Sequence, residues 1–390
     1  MKRLREKGAV SLFIVIFTAL LLSIVTVSFV RLMVNEQQQA TTSDLAQSAY
    51  DSAQAGVEDA KRLLVLDQAC RNGTAASTVN CAAIASALTP VNGDETGCDT
   101  LTKAGIVNAT DNETLIQQSA GDVDLDQAYT CVKIAQDTSD YLGDLAVNES
   151  TVIPLVSDGS FDQVVLSWFS DKDIDSSTND LSVGFPSSSG DVTLPPVGAR
   201  WQYNYPALMR AQVVQLGSNF KMNDFNDNAD GRGNSNSLFL YPSETGATNK
   251  DYALDARRNS TNAPQPITCR DNLAGGGFAC SVTLNLLDPI NGGTANRNAY
   301  LYLTALYNKA HFSVALKSSS GGDIKFKNVQ PLVDSTGRAN NLFRRVVSRI
   351  ELKGEFTYPR AELDVDGNLC KNFTVTSNAS DYSASTTCNP

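Results

Sequence analysis

The sequence predicts an α+β chain: a long N-terminal transmembrane and stalk helix, then a disulfide-stapled, mostly antiparallel β-rich head. Three observations predict it. An uncharged apolar run near the N-terminus passes into an alanine-rich stripe that keeps helical phase. Eight cysteines lie widely spaced through the remainder. Beyond about residue 151 the apolar residues change from helical spacing to alternation. These divide the chain into 1–8, a short basic leader; 9–66, the membrane and stalk helix; 67–150, a small Cys-rich helical and loop region; and 151–390, the β-rich head.

The helix is justified first. Residues 2–7, Lys-Arg-Leu-Arg-Glu-Lys, carry a net charge of +3, and Ala9 to Val30 is 22 residues without a charge. At about 1.5 Å per residue that run is about 33 Å long, enough to cross a hydrocarbon core. Its basic flank stays cytoplasmic by the positive-inside rule, which places the bulk of the chain outside. The run is longer than the apolar part of a signal peptide and ends in Phe29-Val30-Arg31 with no small-x-small site. Beyond it, Leu45, Ala49, Ala53, Val57, Ala60 and Leu64 recur at spacings of 4, 4, 4, 3 and 4, and no proline interrupts residues 9–89. One helix of roughly 85–90 Å follows.

The cysteines stand at 70, 81, 98, 131, 269, 280, 370 and 388, with no Cys-x-x-Cys and only one histidine in the chain. An even number at wide spacing reads as disulfides in an oxidising compartment, not as zinc ligands. Cys269–Cys280 and Cys370–Cys388 suit local loops, leaving Cys70, Cys81, Cys98 and Cys131 to pair among themselves. Within 67–150, Cys81–Leu88 suits a short helix. In the head, Phe161–Phe169, Trp201–Leu216, Ser237–Tyr241, Phe278–Leu286 and Val346–Phe356 read as strands. The last is the clearest, with Val346, Ser348, Ile350, Leu352 and Phe356 on one face and charges on the other. Tyr300–Tyr307 and Ala310–Leu316, joined by Asn308-Lys309, read as a hairpin.

Residues 1–64 resemble a type IV pilin or pseudopilin, in particular the large minor-pilin subgroup found near filament tips. The resemblance rests on the basic leader ending in Gly8, the small apolar Ala9 after it, the continuous apolar helix, and the alanine-rich stretch Ser48–Ala60. It implies cleavage by a prepilin peptidase between Gly8 and Ala9. It also implies other pilin subunits as partners through the helix, storage in the cytoplasmic membrane, and display at the cell surface after assembly. Major pilins carry Glu at the fifth mature position. That position here is Phe13, and no acidic residue follows it before Glu36. Among pilin-like proteins this absence resembles subunits that sit at the tip or prime assembly. The alternative is a membrane-anchored adhesin with a surface ligand and no filament.

The composition weighs against other classes. A net charge of −11 argues against nucleic acid as a partner. No nucleophile elbow or phosphate loop occurs, and His311 falls in a strand beside Phe312, so no enzyme is expected. Calcium is the one cofactor with any motif. Asn226, Asn228 and Asp230 occupy the first ligand positions of an EF-hand loop, with Gly231 at the sixth. The twelfth position is Ser237 instead of Glu, and an Asn/Asp/Gly turn explains the run equally well. Asp171, Asp173 and Asp175 alternate as a weaker candidate. Trp201, Tyr203 and Tyr205, with Tyr300 and Tyr302, alternate as a carbohydrate-binding strand face would, although such aromatics pack cores more often.

Overall fold

The computed structural model describes residues 6–108, 113–116, 126–175, 180–185, 194, 201–217, 235–251, 264–290 and 297–352. Helices are α1 (Glu6–Asn72), α2 (Cys81–Ala87) and α3 (Thr100–Lys103). Strands are β1 (Thr114–Leu115), β2 (Gln127–Thr138), β3 (Asp140–Leu145), β4 (Ser150–Pro154), β5 (Phe161–Trp168), β6 (Leu208–Gly217), β7 (Ser235–Ser243) and β8 (Asn249–Asp251). They continue with β9 (Gln265–Thr268), β10 (Cys280–Ile290), β11 (Arg297–Leu306), β12 (Ala310–Lys317), β13 (Asp323–Ile324), β14 (Phe326–Ala339) and β15 (Leu342–Arg349). The chain divides into two units, one of Met1–Ile134 with Val333–Ser348, the other of Ala135–Leu332 with Arg349–Pro390.

In the first unit α1 is continuous over 67 residues. It ends because Gly73 takes a left-handed φ of 70°. Gly73 N–H then bonds Cys70 O and Thr74 N–H bonds Ala69 O, which satisfies two terminal carbonyls. The C-terminal half of α1 seats on a sheet of order β1-β2-β14-β15. Ala49, Ser52, Ala53, Val57, Ala60, Leu63 and Leu64 are buried there. The seat is close because its residues are small. A Cβ on Gly337 would lie within 3.0 Å of α1 backbone atoms of Ala49, Ser52 and Ala53, and one on Gly56 would strike Ser335. Tyr129 donates its hydroxyl to Asp59 of α1 at 2.8 Å. Disulfides Cys70–Cys81 and Cys98–Cys131 tie α1 to α2 and the loop before α3 to β2.

The second unit is built from two sheets around one core. One has the order β13-β12-β5-β10-β8, with β3 also paired to β12; the other has the order β4-β11-β6-β7-β9. Pairing is antiparallel except for β8 with β10 and β9 with β7. Burial alternates along β5 and β12 of one sheet and over Ala299–Ala305 of β11 in the other, so each sheet turns one face inward. Val164, Leu166 and Trp168 of β5 and Phe312 and Val314 of β12 join Leu301 and Leu303 of β11 and Met209 and Ala211 of β6 in that core. Cys269–Cys280 closes the turn between β9 and β10 and so links the two sheets. In that turn the Arg270 side chain bonds the carbonyls of Gly276 and Phe278.

Several expectations change. Strands begin well before residue 151, since β2, which contains Cys131, and β3 precede the polar turn at 146–149. The segment Tyr300–Leu316 is no hairpin. β11 and β12 belong to different sheets and meet at Tyr307, whose φ is 71°, turning the chain across the core. Both strands carry an apolar face, and crossing lets the two faces bury against one another. Trp201–Tyr205 is a loop, and the strand starts at Leu208. β15 stops at Arg349, where Arg349 turns to bond Asp140 and Ile350 N–H bonds Pro331 O. β15 is an edge strand, so Val346 and Ser348 are only half-buried. Cys370, Cys388, Phe356 and the 226–231 run lie outside the described residues.

Candidate functional site

Two places in the described structure carry candidate functional residues. The first is the N-terminal half of α1. From Leu12 to Val34 no large apolar side chain is less than 47% exposed. An apolar surface of that length in water is unfavourable at roughly 25 cal/mol per Å², so it requires a cover of lipid or of other helices. Its hydroxyl side chains are already satisfied. Thr18, Ser23, Thr26 and Ser28 each donate a hydroxyl to the carbonyl four residues back at 2.8 Å. Apart from Arg31 near its C-terminal end, the span therefore carries no polar side chain that needs water, which is the condition for entering a bilayer. The segment is long and apolar enough to cross a membrane. Gly8 and Ala9 lie in the first turns of α1. Phe13 is exposed, with its ring stacked on Phe17 at 6.5 Å.

The second place is a cleft of about 950 Å³ in the second unit. Among its lining residues is Asp173, which closes a short 3-10 turn, Asp171–Asp173, capped by Ser170. The Asp173 carboxylate is fully buried and accepts from Ser170 N–H at 2.9 Å and from His311 N–H at 3.0 Å. It also takes His311 Nδ1 at 2.7 Å. A carboxylate can only accept here, so Nδ1 carries the proton and Nε2 is the ring's remaining polar atom. Asp144 of β3 stands directly opposite His311 in the β3–β12 register. Lys309 borders the cleft with its ammonium on Lys172 O at 3.0 Å.

The loop 201–205 forms the other wall. Trp201 is buried against Tyr307, stacked at 5.0 Å, and edge-on to Tyr241 at 5.8 Å. Burial raises the phenol pKa of both tyrosines, which keeps them neutral. Asn308 braces the loop by donating to Gln202 O and Tyr205 O, and Asn204 Oδ1 accepts from Asp175 N–H. Tyr203, between these anchors, is 80% exposed at the cleft.

Of the aromatics singled out in the sequence, Trp201 and Tyr203 line this cleft, while Tyr205 packs behind Trp201. Tyr300 and Tyr302 lie on β11, half-buried, facing away from the core residues Leu301 and Leu303. The alternating Asp171, Asp173 and Asp175 do not converge, because Asp173 is turned inward to His311. Among the described residues no three His, Cys, Asp or Glu side chains group as a metal site. The His311–Asp173 pair was not legible in the sequence, since its members are 138 residues apart. Comparison of the chain with protein families, with characterised proteins and with solved structures returns no match.

Proposed function

We propose that this chain is a pilin-like structural subunit: a minor pilin or pseudopilin whose α1 is held in the membrane and then packed among the helices of other subunits. The observation that carries the reading is the division of α1. Its C-terminal half is seated on the subunit's own sheet, while Leu12 to Val34 is left for other molecules to cover. A bilayer covers that surface before assembly, and neighbouring helices of like character cover it afterwards. Prepilin peptidase cutting after Gly8 would free Ala9 as the new N-terminus. Phe13 supplies no carboxylate to pair with a neighbour's terminal amine, which favours a position at the tip, where only one side of the helix meets other subunits.

The test is intact-mass and N-terminal analysis of the protein made with and without a prepilin peptidase. The expected outcome is a peptidase-dependent start at Ala9, abolished by Gly8→Glu, with other pilins co-purifying in membranes that carry them. A start at Met1 in both samples would refute the pilin reading and leave a membrane-anchored binding protein.

A further inference from the structure

We infer that the cleft around Tyr203 and His311 is a binding site for a neutral saccharide, a conclusion that stands independently of how α1 is covered. Its volume, about 950 Å³, is near the upper end of the usual range of small-ligand sites. Its aromatic wall is built rigidly and yet left open. Trp201 is fixed by two other rings, and the loop carrying Tyr203 is fixed at both ends by Asn204 and Asn308. A ring held 80% exposed on a braced loop contributes little to the core. It offers a flat apolar face of the kind that packs against the C–H face of a pyranose.

The rest of the lining supplies hydrogen-bonding groups of both senses. Asp144 accepts, Lys309 donates, and His311 has its ring orientation and tautomer fixed by Asp173, so that Nε2 is an acceptor while the ring is neutral. Alternating donors and acceptors around an aromatic face match a polyhydroxylated ring. The charges argue against the other ligand classes. Asp144 and buried Asp173 offset Lys309, so no positive surplus awaits a phosphate or a sialic-type carboxylate. A quaternary ammonium needs several free aromatic faces, and one face of Trp201 is already taken by Tyr307.

The test uses the full-length chain in a detergent without a sugar headgroup, with tetrasaccharides of glucose, galactose and N-acetylglucosamine in α and β linkage as probes. Trp201 reports binding by its fluorescence, against a constant signal from Trp168, which is sealed in the core. We expect saturation by at least one probe with a Kd at or below about 1 mM. Tyr203→Ala should weaken that binding about five- to tenfold with no change in thermal midpoint, and Asp144→Asn should weaken it as well. Failure of every probe to bind, or binding that Tyr203→Ala and Asp144→Asn leave unchanged, would overturn the assignment. So would saturable binding of tetramethylammonium or inorganic phosphate in place of the sugars.

Discussion

Gly337→Ala is the sharpest probe of how α1 is held. The added methyl would lie within 3.0 Å of three α1 backbone atoms, in Ala49, Ser52 and Ala53, whereas ordinary contact begins at 3.4 Å. No rotamer change can relieve a clash with helix backbone, so helix and sheet must part by roughly 1 Å. A gap of that size forfeits a quarter to a half of each dispersion contact along the seam, and the helix residues facing Gly337 are Ala49, Ser52 and Ala53, with no side chain long enough to refill it. The cost falls at the upper end of the range for overpacking, about 3 kcal/mol. For a unit of this size the thermal midpoint should drop by about 6–12 °C. The assay is calorimetry of the full chain in detergent, with Gly322→Ala as control, because a Cβ at Gly322 meets nothing within 4 Å. A midpoint for Gly337→Ala within about 1 °C of the control would refute the seating described.

Three further outcomes are expected. Ser335→Ala should raise stability by about 1 kcal/mol in urea unfolding, because Ser335 Oγ is buried with no hydrogen-bond partner among the described residues. Replacing both Cys98 and Cys131 by Ser should lower it by about 4 kcal/mol, the entropy of reopening a loop closed over 33 positions. Arg338 bonds both carboxylate oxygens of Asp126, at 2.7 and 2.9 Å, and also holds Glu113. The hydrogen bond from Arg338 holds the Asp126 carboxyl below its ordinary value. A depressed carboxylate adds stability above its unfolded pKa, near 4, and loses it as pH falls through the folded value. Arg338→Met should therefore flatten the fall in melting temperature between about pH 4 and pH 2 and leave a lower plateau at neutral pH.

The sequence is most informative where physics is local. The stripe of Leu45, Ala49, Ala53, Val57, Ala60 and Leu64 needs only a 3.6-residue period to be recognised, and all but the half-buried Leu45 are buried. Cys81–Leu88 likewise matches α2, and Phe161–Phe169 matches β5. What could not be read is set by distant partners. Alternation at Trp201–Tyr205 imitates a strand, yet Asn308, more than a hundred residues later, holds it as a loop. The Asp171–Asp175 run imitates a cation loop until His311 claims its central carboxylate. Two apolar strands around Asn308-Lys309 satisfy the pattern of a hairpin and of a crossing equally. Only the presence of two sheets to be joined decides between them.

That crossing has a consequence for how the chain reaches its native state. Phe312 of β12 pairs with Trp168 and His311 with Asp144, 144 and 167 positions upstream, while Tyr302 of β11 pairs with Val152. β11 pairs with neither β10 nor β12, and β12 zips locally only onto the two-residue β13, so most of their pairing waits for remote segments to arrive. Such non-local order places folding in the slow range, with strand edges open to foreign chains in the interval. The bond between Cys269 and Cys280 joins β9 of one sheet to β10 of the other at the preceding crossing. Formed early by an oxidant, it would settle which sheet each strand enters before β11 and β12 search for theirs. Maturation should then depend on the timing of oxidation as much as on the stability of the finished head.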